Sequence, residues 1–184
     1  MRLSVAMAPC KALRETLVIR RVGIDDFADV RHVHATSLSA QTADTLSDPE
    51  IAAFTRFVQS AAYGDMLLNE ETYGAWIAND LIGTASWQGG GDDGAMARIC
   101  SVFVRPMFVR LGIGALLLGE VEARAREGGY SRFGASATAN AVPFFEAHGY
   151  RVASSGTKTL SPGCALPVTF LRKTVLRVVG SSLH

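Results

Sequence analysis

The chain has 184 residues, 48% of them hydrophobic, with 18 Lys and Arg against 17 Asp and Glu for a net charge of +1. That length suits one domain with a real core, and near-neutrality weighs against a general nucleic-acid binder, which carries a basic surplus or stripe. No apolar run approaches the roughly 18–20 residues that span a bilayer, and Cys10, Cys100 and Cys164 are odd in number and lack metal-ligand spacing, so the expectation is reduced thiols in a cytoplasmic protein with no metal site.

The opening MRLSVAMAPCK has one arginine and a very short apolar stretch, weak for a secretory signal. Residues 1–16 are therefore expected to be an N-terminal extension and 17–184 a single domain. LVIRRV (17–22) reads as a short β-branched strand. DDFADVRHVHATSLSA follows with helical spacing, Phe27, Val30, Val33 and Ser37 on one face and Asp25 and Asp26 in the first turn. SDPEIAAFTRFVQSAA is a second helix, capped by Ser47 or Asp48, with Pro49 at its first position and a stripe of Ile51, Phe54 and Val58. TYGAWIA and LIGTASW are extended runs separated by Asn79-Asp80, a hairpin signal.

GGGDD (89–93) reads as a loop, ARICSVFV as the next strand, and GIGALLLGEVEARARE as a long helix ending at Gly128-Gly129. Glu120 precedes Arg124, and Glu122 precedes Arg126, at the i,i+4 spacing of an outer face. RFGASATA is a strand, AVPFFEAHG a short helix with Pro143 in its first turn, YRVASSG a strand and CALPVTFLRKTV the last strand. The order predicts an α/β fold with a mixed, mostly antiparallel sheet flanked by helices.

Gly112 and Gly114 stand where a strand becomes a helix. A helix N-terminus presents unpaired N–H groups and partial positive charge, a ready anion site, and glycine admits close approach of a pyrophosphate. Arg98, Arg105 and Arg110 lie near in sequence. No Gly-Lys-Ser/Thr follows, which excludes a Walker loop, and Leu117 occupies the third glycine of a dinucleotide fingerprint. From the glycines alone, a strand-to-helix turn that binds nothing stays equally open.

VRPMFVRLGIGALLL, together with ASATANAVPFFEAHGYRV, resembles the acetyl-CoA-binding segments of the GNAT superfamily of N-acetyltransferases. The resemblance extends more loosely over Leu17 to Val175. It implies acetyl-CoA as cosubstrate, with the pantetheine arm pairing along Val102, Phe103 and Val104 like an added strand. It also implies a pyrophosphate cradled by the backbone of Arg110, Leu111, Gly112, Ile113, Gly114 and Ala115, and Asn140 as a cofactor contact or a plain helix cap. Transfer of acetyl to a primary amine, on a small molecule or a peptide, follows, with a backbone N–H of residues 102–104 holding the oxyanion. A homodimer is implied as well.

Three departures from the family pattern stand out. Val109 replaces the usual Gln or Arg, Phe145 stands where a Tyr acid is usual, with its ring expected near the acetyl-sulfur end, and the usual base positions align with Arg98 and Ala135. No catalytic residue is carried over. A CoA thiolate leaves fairly well unassisted, so the loss of Tyr suits an enzyme or a non-catalytic acyl-CoA-binding module. Elsewhere, His32 and His34 sit two apart on a helix and read as surface or capping residues, Glu70 and Glu71 as solvated, Asp92 and Asp93 as loop acids, and His148 as a helix C-terminal partner. With no protein base in view, the pH dependence of activity is expected to follow the acceptor amine.

Overall fold

The computed structural model describes residues 16–90 and 94–175. The N-terminal extension and the loop acids Asp92 and Asp93 therefore lie outside the described residues, save for Thr16. β1 (Leu17–Arg21) leads through a short 3₁₀ turn into α1 (Phe27–Thr42), followed by α2 (Asp48–Val58), α3 (Ala61–Asn69), β2 (Glu71–Ile77), β3 (Asp80–Gln88) and β4 (Ala97–Val104). The remainder is α4 (Ile113–Glu127), β5 (Arg132–Ala137), α5 (Val142–Ala147), β6 (Arg151–Ser161) and β7 (Cys164–Thr174). The strands form one seven-stranded sheet in the order β1-β2-β3-β4-β5-β7-β6. Every neighbouring pair is antiparallel except β4 with β5. None of the described helices is long and apolar enough to cross a membrane.

Period-two alternation in the strands fills both faces of the sheet. On one face Ile99, Phe133, Ala135 and Leu171 pack against Leu117, Leu118 and Val121 of α4. On the other, Trp76, Leu81, Leu166 and Val168 pack against Val30 and Val33 of α1 and Phe54, Phe57 and Val58 of α2. The α1 stripe matches its spacing, with His34 and Leu38 added to the buried set.

Where the sequence pattern and the structure differ, the reasons are local. The second helix stops at Val58, because Ser60 caps a separate helix by accepting from the Tyr63 amide at 3.2 Å. The β2–β3 turn is Ala78-Asn79, one residue earlier than the Asn-Asp signal, with Ala78 at φ +52°. β6 runs past Gly156 to Ser161 and makes a long hairpin with β7.

α4 gives the sharpest correction. Glu120 and Arg124 form the expected ion pair at 2.8 Å, but Glu122 faces the core at 5% exposure. Its carboxylate accepts from Lys173 Nζ at 2.7 and 2.8 Å and from the Tyr150 hydroxyl at 2.9 Å. Among the described residues, Arg126 reaches the Glu122 backbone carbonyl and not its carboxylate. This pair ties α4 to β7 and to the start of β6. Removing one partner of a buried pair strands a charge, and the Lys173 side chain is 18% exposed, so water relieves part of that penalty. Lys173→Met should cost about 2 kcal/mol in urea unfolding, and adding Glu122→Met should recover part of the loss. A double variant less stable than the single would contradict this account.

Candidate active site

β4 and β5 pair only at Ala97–Phe133, Arg98–Gly134 and Ile99–Ala135. Beyond these, β4 stays with β3 and β5 with β7, so the two strands diverge. A bulge marks the point of divergence: Ser86 faces Cys100 and Thr84 faces Phe103, leaving Ser101 and Val102 opposite Ala85. Ser101 adopts φ +52°, a conformation that non-glycine residues rarely hold without support.

The support is a buried polar chain. The Thr84 hydroxyl donates to the Ser101 carbonyl at 3.0 Å. Its only proton is thereby used, so its oxygen accepts from His34 Nε2–H at 2.6 Å. His34 Nδ1 is then the acceptor for the Tyr63 hydroxyl. His34 is fully buried, and burial pushes its pKa down to about 3, which keeps the ring neutral and this proton arrangement intact. The Phe103 ring lies 4.5 Å from the imidazole. The expectation of a surface or capping role for His34 was wrong, because residues 34 and 30 share the helix face that α1 buries; His32, two positions away, is exposed.

At the divergence lies a cavity of about 140 Å³. Cys100, Ser101, Val102 and Phe103 of β4 form one wall, and Ser136 and Ala137 of β5 with Thr138 just beyond it another. Phe54, Phe57, Met66 and Leu166 make its apolar side, and Glu70 and Lys158 its charged groups. Glu70 is the residue that sequence reasoning misplaced. Rather than being solvated, it accepts from the Ser86 hydroxyl at 2.5 Å and the Ser101 hydroxyl at 3.4 Å. Burial pushes its carboxyl above the ordinary carboxylate range, opposed by Ser86, Lys158, Ser101 and Cys100. Burial, with the Glu70 charge, raises Cys100 to about 12, so it remains a thiol. Glu71, one residue on, accepts from the Tyr73 hydroxyl instead. A Glu-Glu pair at a strand start sends its side chains to opposite faces, and the sequence alone does not say which face opens into a cavity.

Of the residues singled out for the cofactor, Val102 and Val104 pack toward the α4 side and Phe103 toward α1 and α2, as strand alternation requires. The Val104 carbonyl is not an open edge group, because Gln41 Nε2 donates to it at 2.7 Å. In the following turn Arg110 has φ +63° and Gly112 φ +82°, and α4 begins at Ile113. A Cβ on Gly114 would stand 3.3 Å from the Phe144 ring, so the turn is tight against α5. Ile113 is buried and Leu111 partly so, which leaves backbone and the exposed Arg110 side chain as what this turn presents. Ala115 is half-buried in the first helical turn.

Asn140 does not cap α5, whose N-cap is Ala141 after a 3₁₀ turn. Its Oδ1 accepts from the Thr138 hydroxyl at 2.8 Å, and among the described residues its amide nitrogen has no protein partner. Phe145 is 5% exposed, packs edge-on against Tyr150 and lines the cavity. Arg98 is exposed and donates to Gln88. His148 Nδ1 donates to the Phe144 carbonyl at the end of α5, the helix-terminal role its position implies.

The neutral state of His34 has a measurable consequence. Its folded pKa of about 3 lies below the unfolded value of about 6.5. The unfolded chain therefore takes a proton that the native one refuses, and stability falls as pH drops from about 6.5 toward 3, by at most about 1.4 kcal/mol per pH unit. His34→Gln lacks that titration. Between pH 6 and 4 the wild type should lose stability more steeply than His34→Gln, by about 1 kcal/mol per pH unit; equal slopes in denaturant titrations would refute the burial argument.

Comparisons with known proteins agree with this geometry. The acetyltransferase (GNAT) domain model matches residues 42–163. The uncharacterized N-acetyltransferase YjcF of Bacillus subtilis strain 168 is 36% identical over 73 residues, which cover 40% of this chain and 50% of the relative. The match thus spans half the length of that protein. A GCN5-related N-acetyltransferase from Rhodopseudomonas palustris shares the fold with TM-score 0.77 at 24% identity, over 87% of this chain and 96% of that one. The PaiA N-acetyltransferase of Thermoplasma acidophilum, solved in complex with coenzyme A, shares it with TM-score 0.68 at 17% identity, over 86% of this chain and 99% of that one. With the family pattern covering most of the sheet and the glycine turn, the chain belongs to the GNAT acetyltransferase family.

Proposed function

We propose that the protein transfers an acetyl group from acetyl-CoA to a primary amine on an apolar body, with Glu70 as general base. The observation that carries this reading is a cavity in which a carboxylate faces β4 where it leaves β5. The residues present suit acetyl-CoA. The edge of β4 at Val102 and Phe103 accommodates a string of amides beside it. The turn at 110–115 combines left-handed residues with the first-turn amides of α4, which have no helical acceptor, and so suits a pyrophosphate. The Asn140 amide is available at the adjoining turn.

When bound, acetyl-CoA supplies an acetyl thioester: the amine nitrogen bonds to its carbonyl carbon, the C–S bond breaks, and the sulfur leaves with the second amine proton. The chain's own residues do the rest. Glu70 takes one proton from the arriving ammonium and later returns it to solvent. The Ser86 and Ser101 hydroxyls hold its carboxylate in place. A trans peptide sets its C=O and N–H on opposite sides, so with the Ser101 carbonyl held by Thr84 the Val102 N–H points away from that hydroxyl. That N–H is the oxyanion donor, and the chain from Tyr63 through His34 and Thr84 polarises its peptide. Phe145 closes the cavity with an apolar ring in place of a proton donor.

An apolar wall of Phe54, Phe57 and Met66 around one carboxylate favours amines such as hexylamine or phenethylamine over polycations. Acceptor-dependent CoA release should be seen with these amines, and Glu70→Gln should lower kcat by about 10²–10³-fold while leaving acetyl-CoA affinity unchanged. The acid limb of the wild-type pH–rate profile should lie above the usual carboxylate range and stay at one pH for amines of different basicity. An apparent pKa that tracks the amine would remove Glu70 as base. Tight acetyl-CoA binding with no acceptor-dependent release would favour a binding module.

A further inference from the structure

A second cavity, of about 330 Å³, adjoins the first across a shared wall of Ile99, Cys100, Ser136 and Lys158. It follows the sheet face away from α2 and α3. Its cations come from three strands: Arg98 on β4, Lys158 on β6 and Arg172 on β7. Register explains the grouping. Arg98 pairs with Gly134, and Gly134 pairs with Arg172, so one row across the sheet carries two guanidinium groups on either side of a glycine, over which the Met96 side chain packs, 3.0 Å from where a Cβ would stand.

Among the described residues no carboxylate lines this cavity, and none of the three cations is held in an ion pair. Arg98 has only the neutral Gln88 oxygen at 2.7 Å. Ser136 and Ser154 add hydroxyl donors. Arg98 and Arg172 are exposed, and such clustering of like charge raises the positive potential that attracts an anion. The two cavities together form a path with a carboxylate in the first, Lys158 at the shared wall and two arginines in the second.

We propose that this second cavity binds the anionic end of the acceptor, so that the substrate class is an amine that also carries a carboxylate or a phosphate. The amine end lies against Glu70, the apolar segment along the cavity wall, and the anion among Lys158, Arg98 and Arg172. Guanidinium groups receive carboxylate or phosphate oxygens through paired N–H donors. This inference rests on the acetyl-transfer reading and sharpens its substrate.

The test compares acceptors at matched length, four and six carbons: the plain alkylamine, the ω-amino amide, the ω-amino carboxylate and the ω-aminoalkyl phosphate. At one or both lengths an anionic acceptor should show kcat/KM about tenfold above its neutral amide, mostly through KM. The carboxylate and phosphate arms show which anion is taken. Arg172→Met should abolish that preference and leave alkylamine turnover unchanged, while Arg172→Lys should keep part of it. Raising salt should weaken the preference in the wild type. Neutral and anionic acceptors used equally well, or a preference that survives Arg172→Met combined with Arg98→Met, would overturn the proposal. Absence of turnover with every amine, alkylamines included, would instead overturn the acetyl-transfer reading on which it rests.

Discussion

The parting of β4 from β5 after three residue pairs is the constraint on which the rest of this structure depends. Parallel strands need a long crossover, and here α4 supplies it, entering from the glycine turn that follows β4 and a short 3₁₀ helix at Pro106–Phe108. Beyond the Ile99–Ala135 pair, β5 continues along β7 to Ala137 while β4 continues along β3 to Val104. The gap exposes the edge of β4 and places the start of α4 at one end of it. It also opens the cavity in which Glu70 stands.

A gap in a sheet is stable only if its walls are held from outside. On one face, α4 anchors β4 and β5 through Leu117 and Val121 against Ile99 and Phe133. The buried Glu122–Lys173 pair fixes the same helix to β7. On the other face, the unusual backbone at Ser101 is secured by Thr84, His34 and Tyr63, drawn from β3, α1 and α3. A neutral histidine is suited to this place, since it can accept from one hydroxyl and donate to another where an apolar residue would leave both unsatisfied. Packing and hydrogen bonding thus converge on one peptide, the one that joins Ser101 to Val102 where the strands diverge.

The fold was largely legible in the sequence because its signals are local. Alternation in ARICSVFV, the Gly112 turn and the capped SDPE segment each specify their own element, and the seven strands and the long helix follow. The family segments lie in the same stretches and match the domain. What escaped depends on contacts distant in sequence. Glu122 sits at the helical spacing of a solvent-facing ion pair, and only Lys173, 51 residues away, shows that it faces inward. His34 is separated from Thr84 by 50 residues and Glu70 from Ser101 by 31, so no window reveals that these groups meet. The third helix was missed because AAYGDMLLN has a weak apolar stripe and a glycine within it. Ser60, which lies inside the segment expected to be one helix, is the cap that divides the third helix from the one before.

The central claim is that the diverging strands form the acetyl-CoA site, and the most direct measurement is a crystal structure of the protein with coenzyme A. The account predicts pantetheine density alongside Val102 and Phe103, its pyrophosphate within hydrogen-bond reach of the backbone amides of residues 110–115, and its sulfur pointing into the cavity that holds Glu70. Coenzyme A bound elsewhere, with the gap between β4 and β5 filled only by solvent, would contradict it.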